Sequence, residues 1–421
     1  MTLGLWTNRR QFGVLVALVL FVGIVLGSER TIVPLMARRI FHLHNGLLIL
    51  SFIASFGISK ALFNLYAGHW ADRVGRKRVL IWGFMAGLPV PVLLAWAPNW
   101  DWVIAANVLL GLNQGLAWTM TSLGKIDLVG PQRRGLAVGI DEGAGYLGVA
   151  LSAWLTSVIA AHWGLRPWPF ALAEVAALLG LLLTATTMRE THQFALQEHQ
   201  AMHPHRAPIQ LGLGAAFAET TWRNPGLSTL SLDGQINKWS DTLMWGIVPL
   251  YLASRHVPIA AIGLVAGLYA GTWGLAQFGT GILSDRVGRK WPIVSGLFLN
   301  GAGLLGFFLA STVLGWGASG ALAGLGTALL YPNLSSAVSD IAPPAHRGGI
   351  TGVFRLWRDG GYAVGSLALG GLILLTSLAW PIFVVAMLLL ATAGITAWRL
   401  PETLPRFRSH TDSPDSLSGT R

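Results

Sequence analysis

The chain has 421 residues, 53% of them hydrophobic and 11% charged, where an ordinary soluble domain carries about 25% charged residues. That leaves too little solvating surface for a soluble globule and too much apolar content for a disordered chain. With no cysteine, a disulfide scaffold, a thiol enzyme and a Cys-ligated metal site are excluded. Lysine plus arginine exceed aspartate plus glutamate by 29 − 18 = 11. In so apolar a chain this excess reads as loop charge on a multi-span membrane protein, not as affinity for nucleic acid.

Crossing the hydrocarbon takes about 20 mostly apolar residues. Twelve such stretches occur, near 12–35, 46–69, 79–97, 102–124, 135–160, 167–188, 226–252, 260–283, 291–311, 315–338, 349–376 and 379–398. None alternates as a barrel strand would, so the expectation is an all-α membrane protein with twelve transmembrane helices. Arg9 and Arg10 precede the first run and no small-residue cleavage site follows it, which predicts a retained first helix. Of the 29 basic residues, five fall within spans and four (Arg38, Arg39, Arg166 and Arg255) on one side of the membrane. The remaining twenty, Lys125 among them, lie on the other side, which predicts cytoplasmic termini.

An internal repeat divides these spans. Ile32-Val33-Pro34-Leu35 returns as Ile247-Val248-Pro249-Leu250, and Asp72-Arg73-Val74-Gly75-Arg76-Lys77 as Asp285-Arg286-Val287-Gly288-Arg289-Lys290. Asp127, Pro131, Arg134 and Gly135 return as Asp340, Pro344, Arg347 and Gly348. The expected organisation is a six-helix bundle over 1–188, a cytoplasmic linker over 189–225, a second bundle over 226–400 and a disordered tail over 401–421. Two similar bundles with a site at their interface are a transporter plan.

The loop Gly68-His69-Trp70-Ala71-Asp72-Arg73-Val74-Gly75-Arg76-Lys77 and its copy from Gly281 to Lys290 resemble the signature loop of the major facilitator superfamily. Trp70 stands where that family usually has Leu. The resemblance covers nearly the whole chain and implies a fold of two pseudo-symmetric six-helix bundles. It also implies that the first, fourth, seventh and tenth helices line a central cavity. From the residues alone, Gly75 and Gly288 free their bends of Cβ sterics, and Asp127 and Asp340 are natural partners for Arg76 and Arg289. In the family such pairs latch the cytoplasmic side. The loop motifs are closest to drug/proton antiporter-like members, although Gly111 replaces an Arg before Gln114-Gly115. Ala144 likewise replaces a Pro in the glycine-rich run from Gly139 to Tyr146.

Charges inside the spans are costly and imply partners or water. The basic ones are Arg30, Lys60, Lys238, Arg355 and Arg358; the acidic ones are Glu29, Asp141, Glu142, Glu174, Asp233, Asp241 and Asp359. Lys238 and Asp241 can pair on one helix. Asp359 has two candidate partners, Arg355 four residues earlier and Lys60 on the second span, an inter-half pair that would open in one access state. Asp141 and Glu142 either titrate or bind Arg133 or Arg134. With Asn113, Gln114, Trp118, Asn237, Tyr331 and Asn333, these residues are the candidates for binding or coupling. A carboxyl group such as Glu29 or Asp241 whose hydration alternates makes proton coupling chemically possible.

His192, His199, His203 and His205 show no recurring spacing and no companion Cys, so no metal site is expected. Residues 211–222 predict a short amphipathic helix on the inner membrane face. With neither a P-loop nor a nucleophile motif, an enzyme or ATP-driven pump is not expected. The reading is a secondary transporter of a bacterial inner membrane, without cofactor and monomeric, touching lipids and a small-molecule substrate. Proton-coupled efflux by alternating access leads. The alternatives are an importer of an organic anion and a transporter-like sensor or scaffold.

Overall fold

The computed structural model describes residues 4–129, 134–194, 213–342 and 347–404. Twelve helical rods follow one another, with no strand among the described residues. They are α1 (Arg9–Arg39), α2 (Gly46–Val74), α3 (Arg76–Ala95), α4 (Trp100–Val129), α5 (Arg134–Trp163), α6 (Trp168–Thr186), α7 (225–254), α8 (Ile259–Val287), α9 (Lys290–Leu309), α10 (Val313–Ile341), α11 (Arg347–Leu375) and α12 (Trp380–Arg399). Among the described residues ten are long and apolar enough to cross a membrane by length and composition. The other two, α7 and α11, are the rods bearing Asp233, Lys238 and Asp241, and Arg355, Arg358 and Asp359.

Several rods outrun their predicted spans, because hydropathy marks only the part of a helix that meets lipid. At about 1.5 Å per residue, the 29-residue α2 and α8 exceed a hydrocarbon core of about 30 Å. Asn45, Asn99, Asn224 and Thr312 cap α2, α4, α7 and α10 by accepting from amides of the first turn, which is why the chain starts helices there. Gly75 and Gly288 sit at φ 94° and 95°, a region open to glycine.

The repeated prolines break their helices at matching places. Pro34 has no amide for the Arg30 carbonyl, and α1 is interrupted at Thr31. Pro249 likewise cannot serve the carbonyl of Trp245, and α7 absorbs the defect as a π-helical turn over Leu243–Ile247. A second π turn, Gln114–Trp118, interrupts α4.

Rods α1–α6 pack as one bundle and α7–α12 as another, and they meet along two seams, α2 against α11 and α5 against α8. Glycines set the approach. Gly46 faces the Gly370 carbonyl and Gly57 faces Tyr362 on the first seam; Gly263 faces Ser157, and Gly143 and Gly274 face each other, on the second. The Gly139, Gly143 spacing is thus a packing device between bundles. Before α7, a short helix Leu213–Ala218 and a π turn Glu219–Arg223 pack on α11 through Phe217 and Trp357. The predicted linker helix therefore lies against the bundle. His199, His203, His205, Pro131, Arg133, Pro344 and the tail from 405 lie outside the described residues, as do the side chains of Arg134 and Arg347.

Candidate functional site

At the end of the bundles away from the Asp-Arg loops, Arg30 closes the centre. Its guanidinium pairs with Glu29 at 3.1 Å, both side chains 1% exposed. It also lies 4.4 Å from the ring centroid of Phe56 on α2 and 4.6 Å from that of Trp245 on α7. A planar cation between two rings from different bundles is held by their quadrupoles. Arg30 and Trp245 are equivalent in the repeat, each four residues before its proline. The helix breaks therefore bring two related positions together at the molecular axis.

One layer deeper, Lys238 and Asp241 form the expected pair at 2.7 Å, both fully buried. Asp241 also accepts from the hydroxyls of Tyr269 on α8, at 2.6 Å, and Tyr362 on α11, at 2.9 Å. The Lys238 ammonium stands 5.1, 4.9 and 5.2 Å from the rings of Trp273, Tyr331 and Tyr362. The ion pair, the two hydroxyls and the aromatic cage thus give both buried charges partners. Asn237 donates to Thr327, which also accepts from Asn300. Across the bundles Tyr146 stacks on Trp273 at 3.5 Å and flanks Trp118, giving a continuous aromatic floor.

Between this layer and the Asp-Arg loops lies a cavity of about 30 Å³ lined by Lys60, Asn64, Gln114, Trp118, Glu142, Tyr331, Arg355 and Arg358. Ligand sites usually enclose about 300–1,000 Å³, so this cavity is far smaller than a usual ligand site. Trp118 donates to Glu142 at 2.9 Å. Asp359 corrects the expectation: its ion partner is the adjacent Arg358, at 3.0 Å, and neither Arg355 nor Lys60. The contact across the bundles is made by Asn64, whose amide donates to Asp359 at 2.6 Å. A side-chain amide reaches that carboxylate while Lys60 turns toward Phe56, Trp118 and Tyr362, 5.7–5.9 Å from their rings. Lys60 and Arg355 form no ion pair among the described residues.

Other candidates point elsewhere. Lys125 is not loop charge: it is fully buried and bonds Asp141, whereas the alternative partners of that carboxylate, Arg133 and the Arg134 side chain, lie outside the described residues. Helix α4 runs on to Val129, which carries Lys125 inside the bundle. Asp233 accepts from Thr396 of α12 at 2.7 Å, away from the cavity. Asn113 donates to the Gly83 carbonyl of α3 and Asn333 to Leu329 on its own helix. Gln114 faces the cavity and donates to Val22 of α1.

The Asp-Arg loops form the expected pairs, each within one bundle. Arg76 binds Asp72 at 2.7 Å and Asp127 at 3.3 Å; Arg289 binds Asp285 at 2.7 Å and Asp340 at 3.4 Å. Sequence reasoning missed a third partner in each. Glu190 accepts from the amides of Arg76, at 2.8 Å, and Lys77, and Glu402 does the same for Arg289, at 2.8 Å, and Lys290. Carboxylates thereby meet the N-termini of α3 and α9. Thr191 and Thr403 bond Asp127 and Asp340. The signal was present as Glu190-Thr191 and Glu402-Thr403, 212 residues apart.

Among solved structures, the inward-open xylose transporter XylE from E. coli superposes with TM-score 0.72 at 16% identity, covering 94% of this chain and 98% of that one. The human organic anion transporter MFSD10 gives 0.68 at 15%, covering 92% and 99%. At such identities these likenesses establish the fold. By sequence, the multi-drug resistance efflux pump PmrA of Streptococcus pneumoniae is 27% identical over 70% of this chain and 71% of its own length. A probable 4-methylmuconolactone transporter of Cupriavidus pinatubonensis is 25% identical over 54% and 52%. An uncharacterized MFS-type transporter of Methanocaldococcus jannaschii is 32% identical over 30% and 33%. The chain thus spans about a third to a half of the length of these last two relatives. The sequence model of the Major Facilitator Superfamily matches residues 11–232 and 236–419. Duplicated bundles, buried ionic layers and this match lead to one conclusion: the chain belongs to the major facilitator superfamily, as a multi-pass membrane protein.

Proposed function

We propose that this protein is a transporter that exports small amphipathic organic anions across a bacterial inner membrane, by alternating access and in exchange for protons, with both termini cytoplasmic. The observation that carries the reading is the lining of the cavity. Lys60 and Arg355 form no ion pair among the described residues, Arg358 shares Asp359, and Trp118 and Tyr331 supply flat walls. Two cations without a direct ion pair, beside aromatic faces, suit a carboxylate or sulfonate attached to an apolar body. Outward movement is supported by the kinship with PmrA. Glu142 is the one carboxylate lining the cavity among the described residues and is our candidate for the exchanged proton.

The test begins with thermal stabilisation of purified protein by a panel of aromatic carboxylates, sulfonates and lipophilic cations, since a bound ligand stabilises by mass action. Anions should raise the melting temperature and Lys60→Met should abolish the rise. A response confined to cations overturns the substrate class. In proteoliposomes, an anion that stabilises should move against an imposed pH gradient, and Glu142→Gln should uncouple the two fluxes. Uptake of the same anion with protons is the second reading, favoured by kinship with the muconolactone transporter. Accumulation on the alkaline side would select it. A protein that binds but moves nothing would be a sensor.

A further inference from the structure

Far from the central cavity, α3 and α6 leave a crevice of about 430 Å³ near the end opposite the Asp-Arg loops. Its origin is local. Pro89 and Pro91 interrupt α3, which runs as Arg76–Gly87 and Pro89–Ala95, whereas its counterpart α9 is unbroken over Lys290–Leu309. The walls are Pro91, Trp96, Trp168, Phe170 and Val175, and Trp96, Trp168 and Val175 are exposed on the outer surface of the bundle. Within this apolar lining stands one carboxylate, Glu174. Its Oε2 is buried and meets no hydrogen-bond donor. Nearby Arg166 is committed to the Ala97 carbonyl at 2.8 Å and to the face of Phe41.

The second bundle supplies an internal control. Trp168-Pro169 recurs as Trp380-Pro381, so Glu174 corresponds to Ala386. Ala386 is fully buried, with its carbonyl against Gly301 of α9. The carboxylate therefore has no counterpart at the equivalent position of the second bundle and is not dictated by the fold.

We propose that this crevice is a binding site for a lipophilic amine, entered from the bilayer and separate from the transport path. The ammonium would meet Glu174 beneath the indoles of Trp96 and Trp168, and the hydrocarbon would pass the exposed Val92 and Val175 into the bilayer. Depth selects this occupant over a phospholipid headgroup. Trp residues of this kind mark the membrane interface, and Glu174 is six residues along α6 from Trp168, roughly 9 Å deeper at about 1.5 Å per residue. A headgroup amine stays at the level of the indoles, whereas a protonated alkylamine reaches below them.

The test uses full-length protein in phosphatidylglycerol nanodiscs and a dodecylamine carrying a photoactivatable diazirine, with the matching alcohol as control. Labelling should fall on peptides spanning 88–97 and 167–176, and unlabelled dodecylamine should compete while dodecanol does not. Glu174→Gln should reduce labelling there at least tenfold. So should Val92→Trp, a change at an exposed wall position that leaves the carboxylate in place. Equal labelling by amine and alcohol, or labelling unaffected by both variants, overturns the proposal. Loss of labelling when phosphatidylethanolamine replaces phosphatidylglycerol also overturns it, in favour of a lipid headgroup.

Discussion

A buried charge shows its worth when its partner is removed. Lys238→Met would leave Asp241 fully buried with only the hydroxyls of Tyr269 and Tyr362, a loss of about 3–5 kcal/mol. We expect the melting temperature to fall sharply, and Lys238→Met with Asp241→Leu to recover most of the fall; additive losses would contradict the pairing. Lys60→Met should cost much less, because no ion pair is broken, yet remove stabilisation by anions. The Lys238–Asp241 pair was legible because both residues stand on one helix, three apart. Lys125–Asp141 was not. Lys125 lies one residue beyond the apolar run 102–124, and hydropathy cannot tell a helix that leaves the membrane from one that continues inside protein. Asp359 was misassigned for a related reason: helical spacing lists the partners within reach, and packing decides that Asn64 arrives and Lys60 does not.

Elements carry the second kind of prediction. Gly324 of α10 packs directly on the Tyr269 carbonyl of α8, while Gly394 of α12 has open space where a Cβ would stand. Gly324→Ala should therefore destabilise by about 1–3 kcal/mol through overpacking, whereas Gly394→Ala should be neutral or stabilising by up to about 1 kcal/mol. Thermal unfolding of the two variants side by side checks this. Glu190→Ala and Glu402→Ala each remove a carboxylate from a helix N-terminus, and about 1–2 kcal/mol is expected from each. Faster hydrogen exchange at the amides of residues 76–77 or 289–290, confined to the mutated bundle, would identify the cause. The prolines that interrupt α1 and α7 were visible as a repeat. Their consequence was hidden, because the same defect became a break in one rod and a π turn in the other.

At the scale of the molecule, the lack of any native cysteine makes every introduced pair unambiguous. Joining Cys replacements of Leu47, which is exposed and packs on Gly370, and of Gly371, where a Cβ meets open space, across α2 and α11 with a short bifunctional maleimide should abolish transport. Ligand stabilisation from the Asp-Arg loop side should survive, and undiminished flux would show that this end need not open. The two-bundle outline was readable from duplicated motifs, whereas the closeness of the bundles was not, since it depends on which glycines meet. Those contacts are unequal. Residues 143–157 and 263–274 touch through small side chains and a stacked Tyr146–Trp273 pair, with no hydrogen bond across them among the described residues. On the other side, Asn64 must release Asp359 before the surfaces can separate. In the alternating access we propose, swinging one bundle over the other would meet friction on a single flank, as in a hinged door greased along α5 and α8 and bolted along α2 and α11.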